Sequence, residues 1–203
     1  MRKVLLSMVA VALSAPAFAG EFNKVLSPGD KAPDFSGIPA VAPNGEQASL
    51  TLSDIKDDVV VVVFLANHCP AVVAVEDRLN EFTSEYKDKG VRVVGVCVDS
   101  REGDKLPAIK KRIGDKNDGK INYVYGHDES QTIGKAYGAV ATPTFVVLDK
   151  DRKVAYLGAF DDNGKEEKVT KHYVKDAVDA VLAGKAPAVA ETRAQGCGIP
   201  YNK

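Results

Sequence analysis

The sequence predicts an α/β fold, a central mixed β-sheet flanked by helices, and three stretches carry that expectation. Residues 58–65 (DVVVVVFL) form a near-continuous β-branched run without alternation. Such a run suits a strand buried on both faces, as in a parallel sheet covered by helices. From Pro70 the period changes. Val72, Val75, Leu79, Phe82 and Tyr86 recur at spacings of three and four, with Glu76, Asp77, Arg78 and Lys87 elsewhere around the helix. Residues 91–98 (VRVVGVCV) then read as a second buried strand. Strand, helix and strand in succession make a βαβ unit.

The remaining elements follow in order. Residues 29–35 (GDKAPDF) read as an extended leading segment, and 48–55 (ASLTLSDI) alternate before a polar break. Gly90 closes the first helix, as glycine does just past a helix end. Residues 104–113 read as a short helix, followed by a polar linker, GDKNDGK, at 114–120. A short strand is expected at 121–125 and another helix at 130–137. Residues 144–148 (TFVVL) and 153–160 (KVAYLGAF) read as strands joined by Asp149-Lys150-Asp151-Arg152, a hairpin turn by composition. Residues 169–182 form the last helix, with Val174, Val178 and Val181 on one face. From Gly184 onward Ala, Pro and Gly dominate, so 185–203 read as a mobile tail. One domain is expected over 20–184, without repeats.

The first 19 residues have a different character. Arg2 and Lys3 form a positive start, residues 4–13 an apolar run, and Ala17-Phe18-Ala19 an A-x-A cleavage pattern. This is the pattern of a secretory signal peptide, too short for a stable membrane span, so the chain is expected to be exported, to a periplasm or outside the cell. Removing the leader leaves 25 basic against 28 acidic residues. That balance gives no electrostatic footprint for nucleic acid.

Three cysteines remain, Cys69, Cys97 and Cys197. An exported protein keeps disulfides, and an odd count leaves at least one thiol free, reactive or paired with another chain. Cys97 lies within a strand expected to be buried on both faces, where cysteine acts as a small hydrophobe. Cys69 sits in A-N-H-C-P (66–70), where the apolar strand gives way to the helix. At a helix start its sulfur can receive unpaired backbone N–H groups and feels the positive end of the helix dipole. Both favour the thiolate, which is the nucleophile, and His68 as a donor would push the same way. Pro70 costs little in the first turn. Thr142-Pro143, immediately before a strand, is a candidate cis bond.

These segments together resemble the redoxin group of the thioredoxin superfamily. The resemblance rests on GDKAPDF, VVVVVFLANHCP, YGHDESQTIGKAYGAVATPTFVVLD and the closing hairpin and helix, and it covers nearly all of 28–183. The group includes the alkyl hydroperoxide reductase/thiol-specific antioxidant type and periplasmic or membrane-associated thiol-disulfide oxidoreductases. The chain is similar, more narrowly, to redoxins with C-N-H-C-P and a G-C-x-I ending, matched at Gly196-Cys197-Gly198-Ile199. The resemblance implies a thioredoxin-like fold in which Pro143, taken as cis, lies against the active-site cysteine. It also implies that Thr142 offers backbone hydrogen bonds to substrate. The departure is Ala66, which stands where the attacking cysteine of a C-x-x-C pair would be, so dithiol exchange through 66 and 69 is ruled out.

The expected centre is therefore a single active-site cysteine, Cys69, supported by Ala66, Asn67, His68, Pro70, Thr142 and Pro143. It would act in thiol-disulfide exchange with a protein partner or in reduction of a small peroxide, with Cys197 or an external thiol restoring it. Peroxiredoxins carry T-x-x-C-P, and Ala66 replaces that threonine; Arg101 is near in sequence to where a thiolate-pairing arginine is sought. About 15 residues of tail at 3.3–3.6 Å each could span a small domain, so geometry permits a Cys69–Cys197 contact. No cofactor and no metal are expected. A copper-binding chaperone is the weakest reading, because position 65, where C-x-x-x-C needs a thiolate, is Leu65. The competing reading is a degenerate protein-binding module that has lost its first cysteine.

Overall fold

The computed structural model describes residues 20–115 and 121–202; the leader at 1–19, residues 116–120 of the polar linker and Lys203 lie outside the described residues. Along the chain run β1 (Ile38–Val41), β2 (Gln47–Leu50), β3 (Val59–Leu65), α1 (Pro70–Tyr86), β4 (Val91–Cys97) and α2 (Leu106–Asp115). They are followed by β5 (Val124–His127), α3 (Thr132–Ala136), β6 (Ala141–Thr142), β7 (Thr144–Leu148), β8 (Val154–Gly158), α4 (Tyr173–Leu182) and β9 (Cys197–Gly198).

Seven strands form one mixed sheet in the order β2-β1-β5-β4-β3-β7-β8. The central strand β3 runs parallel to β4 and antiparallel to β7. Its side chains alternate between two cores, as the two-residue period of a strand requires. Val59, Val61, Val63 and Leu65 pack with α1, α2 and α4, whereas Val60, Val62 and Phe64 pack with α3 and the leading segment. Each such side chain contributes about 1.5–3 kcal/mol on burial. The apolar run at 58–65 is thus explained by two covered faces, and the strand ends where it delivers Cys69 to the start of α1.

Boundaries shift where the pattern is weak. The helix expected at 104–113 resolves into a 3-10 turn at Glu102–Asp104 and then α2. Pro107 fits the first turn of α2, where its missing N–H has no helical partner to serve. The strand expected at 121–125 begins at Val124, and the last helix begins at Tyr173 after a 3-10 turn at Glu166–Lys168. Strand β1, only four residues long, carries no readable period.

The largest difference from expectation is at the C-terminal end. In place of a mobile tail, the described residues to 202 are laid along the domain. Leu157 N–H donates to Ala190 O at 3.1 Å, and Thr192 N–H donates to Leu157 O at 3.0 Å, which adds this segment to the edge of β8. Farther on, β9 pairs antiparallel with β6, Cys197 opposite Thr142 and Gly198 opposite Ala141. Ile199 and Tyr201 then pack against the core on the α3 side. Gln131 ties down the end, donating from Nε2 to Pro200 O at 3.0 Å and accepting Asn202 N–H at 2.7 Å. Composition registers Ala, Pro and Gly as disorder, but this docking uses backbone groups and two apolar anchors, which composition does not weigh.

Candidate active site

Cys69 is the N-cap of α1, with φ −80° and ψ 117°, and Pro70 follows in the first turn. Its carbonyl accepts the N–H groups of Val72 at 3.0 Å and Val73 at 3.1 Å, and its side chain is fully buried. In the thiol form Sγ donates to Thr142 O at 3.1 Å. Thr142-Pro143 is cis, as the family resemblance implies, and Thr142 is the β6 residue opposite Cys197. One two-residue ladder therefore brings both cysteines to the same carbonyl. Gly196 makes this approach possible. Its φ is +152°, and a Cβ there would collide with Thr142 O.

The electrostatics of the two thiols run in opposite directions. Burial is the largest single influence on Cys69 and raises its pKa. It is outweighed by hydrogen bonds from the Cys197 thiol, the Thr142 side chain, and the N–H groups of Val72 and Cys197, which together lower it. Cys197 gives the complement: its S–H, donated to Cys69, holds the proton and raises its own pKa, with partial burial adding to the rise. Cys197 is partly exposed, whereas Cys69 is buried. All three cysteines are free thiols.

The residues before Cys69 are fixed from outside the loop. Ala66 is buried in the core and accepts Cys69 N–H at 3.2 Å. Asp104, fully buried, accepts Asn67 N–H at 2.5 Å and His68 N–H at 3.3 Å through Oδ1, and binds His68 Nδ1 through Oδ2 at 2.6 Å. Asn67 Nδ2 donates to Gly103 O at 2.9 Å, and Arg112 Nη1 donates to Asn67 O at 3.0 Å. Arg112 is itself paired with the buried Glu76.

His68 does not act on Cys69 as the sequence suggests. Its ring is turned to Asp104 and Arg101, and the hydrogen bonds on the Cys69 sulfur come from other groups. Because a guanidinium only donates, the Arg101 contact to Nε2 requires Nε2 to accept, with the ring hydrogen on Nδ1 facing Asp104. Arg101 also reaches Asp99 Oδ2 at 3.2 Å. Ligand atoms of His68, Asp99 and Asp104 lie within 4.8 Å of one another, close enough to share an ion. The positive charge at two of the three groups is Arg101's own.

Cys97, by contrast, faces the core at the end of β4, and burial pushes its thiol up to about 12. His127 is buried with Nε2 3.0 Å from Asp99 O, and His172 caps α4. Arg101, raised in sequence only as a neighbour of a sought thiolate-pairing arginine, meets His68 and Asp99 instead, and Asp104, Arg112 and the β6–β9 ladder have no sign in the sequence. The sequence reads Asp104 as the start of a helix, and only tertiary folding sets the 3-10 turn at Glu102–Asp104 against residues 67 and 68.

Within the described residues, then, the molecule is a thioredoxin-like α/β domain with two thiols meeting at the start of α1. It belongs to the Redoxin family, whose model matches residues 27–174. Among curated proteins it is similar to the thiol-disulfide oxidoreductase ResA of Oceanobacillus iheyensis, 26% identical over 141 residues that cover 70% of this chain and 69% of the relative. Among solved structures it is similar to a hypothetical protein of Sinorhizobium meliloti 1021, with a TM-score of 0.76 and 31% identity over 89% of this chain and 97% of the other. A thioredoxin-like protein solved in its oxidised form has a TM-score of 0.59 and 21% identity over 80% of this chain and 99% of the other, a likeness of fold.

Proposed function

We propose that this protein is an exported thiol-disulfide oxidoreductase whose redox centre is the pair Cys69–Cys197, rather than Cys69 alone. The observation that carries the reading is the register of β9, which sets Cys197 opposite Thr142, the residue whose carbonyl accepts the Cys69 thiol at 3.1 Å. Family membership and the ResA relatives support the reaction class. The A-x-A pattern at 17–19 supports export to a periplasm or beyond, where protein thiols are the partners.

The geometry divides the work between the two sulfurs. In the oxidised protein a partner thiolate attacks the more exposed Cys197 Sγ, the Cys69–Cys197 bond breaks, and Cys69 leaves as a thiolate. A thiol of lowered pKa is the better leaving group, and the donors around Cys69 are already in place to receive the charge. The partner's second thiolate then attacks the partner sulfur of the mixed disulfide. That releases Cys197, which takes a proton from solvent. The partner dithiol has become a disulfide, and the centre has gained two electrons. Run backward, the same steps reduce a partner disulfide, with Cys197 attacking and Cys69 resolving. The approach is bordered by a cleft of about 160 Å³ lined by Ala71, Val75, Pro143, Phe160 and Gly196.

Peroxide reduction would need the oxidant at the Cys69 sulfur, which is fully buried in this reduced arrangement, so thiol exchange is the better-supported reaction. Ala66 then needs no special explanation, because the second thiol is supplied by residue 197. The test is a non-reducing peptide map after oxidation by a small disulfide, followed by reaction with a reduced dithiol protein. A Cys69–Cys197 linked peptide that disappears as the partner oxidises is expected. An oxidised protein without that link, or one inert to dithiols, leaves the binding module as the reading.

A further inference from the structure

Glu191 lies six residues before Cys197, in the segment that runs along β8. Its carboxylate accepts the backbone N–H groups of Glu21 at 2.7 Å, Phe22 at 2.9 Å and Asn23 at 2.6 Å. Three successive amides converging on one anion form a nest. A carboxylate has about four acceptor sites, so one remains. Gly20, the next residue toward the N-terminus, is buried against the same group. A Cβ on Gly20 would stand 2.7 Å from both Glu191 oxygens and 2.9 Å from Asn23 O, so the site excludes any larger residue. Ordinary bond lengths then put the Gly20 nitrogen within about 6 Å of a Glu191 oxygen.

The cleavage pattern ends at Ala19, so removal of the leader makes Gly20 the first residue. We infer that the freed α-ammonium of Gly20 docks on the Glu191 carboxylate, and that this processed N-terminus anchors the segment that presents Cys197. The inference rests on the export reading above. It gives a purpose to a carboxylate that otherwise only gathers amides. In the unprocessed chain the Gly20 nitrogen is a neutral amide, and processing converts it to a cation beside an anion. The other charges near the site are Lys24, whose Nζ binds Gly20 O at 3.1 Å and Glu21 O at 2.7 Å, and Glu21 and Arg193, which with Lys24 line a neighbouring cleft. Lys24 is held by carbonyls, which leaves the carboxylate to the terminus.

Beyond Glu191 the coupling to the redox centre is short. The Thr192 hydroxyl lies 2.6 Å from Tyr156 OH and accepts Ala159 N–H at 3.0 Å, and five residues later comes Cys197. The N-terminus and β8 thus hold the segment from opposite sides at 191 and 192.

The test uses the exported, full-length processed protein and its Glu191→Gln variant, in which the amide oxygen can still accept the Phe22 and Asn23 N–H groups while the Glu21 N–H loses its acceptor. Intact mass should show a chain beginning at Gly20. An amine-acylating reagent at neutral pH should modify the α-amine of the wild type about tenfold more slowly than that of the variant, as expected for a charge-assisted contact. Amide exchange through 190–198 should be faster in the variant. A chain that begins at Gly20 but acylates equally fast in both proteins overturns the inference and leaves the export reading intact. A chain that is not cut after Ala19 overturns both. Equal exchange through 190–198 overturns the anchoring role even if the amine is protected.

Discussion

Cys69 and Cys97 are both fully buried, yet their thiols are driven in opposite directions. Cys97 ends a central strand, where burial is the largest influence and pushes it up to about 12. Only the Asp99 N–H, 3.4 Å from its sulfur, and the Tyr125 side chain oppose the rise, while the carboxylates of Asp104 and Asp99 add to it. Cys69 is also opposed by desolvation, in a less enclosed setting, but sits at a helix start, with two thiol or side-chain donors and two backbone N–H groups around it. Burial therefore does not decide reactivity in this protein; the supply of donors does, and most of that supply comes from β6 and β9.

The strongest way to break this comparison is to remove each sulfur in turn. Cys69→Ser and Cys197→Ser should each reduce dithiol oxidation to the uncatalysed background, measured by partner oxidation under a small-disulfide oxidant. Cys97→Ser should leave the rate unchanged. A Cys97→Ser protein with lost exchange, or a Cys197→Ser protein with full exchange, would overturn the assignment of the pair. Next in size is Asp104→Ala. It strips a fully buried carboxylate from two backbone N–H groups and the His68 ring, and should cost about 3 kcal/mol in denaturant unfolding. The loop that delivers Cys69 loosens with it, so exchange should slow as well. Cys97→Ser comes third, with a cost of about 1–3 kcal/mol for a hydroxyl placed in an apolar site, and no change in exchange.

What could be read in the sequence divides along the same line. The β3–α1–β4 unit was legible because burial on two faces writes itself as an apolar run, and a helix face as a three-four period. The position of Cys69 at the helix start followed from that change of period, and the cis bond at Pro143 matches what the family resemblance implies for a Thr-Pro dipeptide that alone says only turn. The clamp from Asp104, Arg101 and Arg112 was not legible. It joins residues more than thirty positions apart, through side chains that are unremarkable on a polar turn and an amphipathic helix. The docking of 185–202 was misread for a different reason. Strand β9 is two residues long and binds through its backbone, so the G-C-x-I match at 196–199 marks the segment without saying that it pairs with Thr142.

The smallest expected effect gives the sharpest test of the donor argument. Thr142→Val keeps shape and the β6 backbone but removes one donor from the Cys69 sulfur. In the reduced wild type the folded chain releases the Cys69 proton below the ordinary value of 9.0, so between the lowered value and 9.0 the unfolded chain holds more protons and stability rises with pH. Above 9.0 Cys197 works the other way: the folded chain keeps a proton the unfolded chain has lost, and stability falls. The reduced protein should therefore be most stable near the ordinary cysteine value, and the oxidised protein, lacking both thiols, should lose the rising slope and keep only the part of the fall that Cys97, pushed up to about 12, contributes. Thr142→Val should flatten the rising limb and leave the falling limb in place. It should also slow alkylation of Cys69 by about two- to tenfold at neutral pH, the range for one hydrogen bond. If the rising limb is unchanged in Thr142→Val and absent in Cys197→Ser, the Cys197 thiol alone sustains the thiolate, and the helix start and β6 only position it.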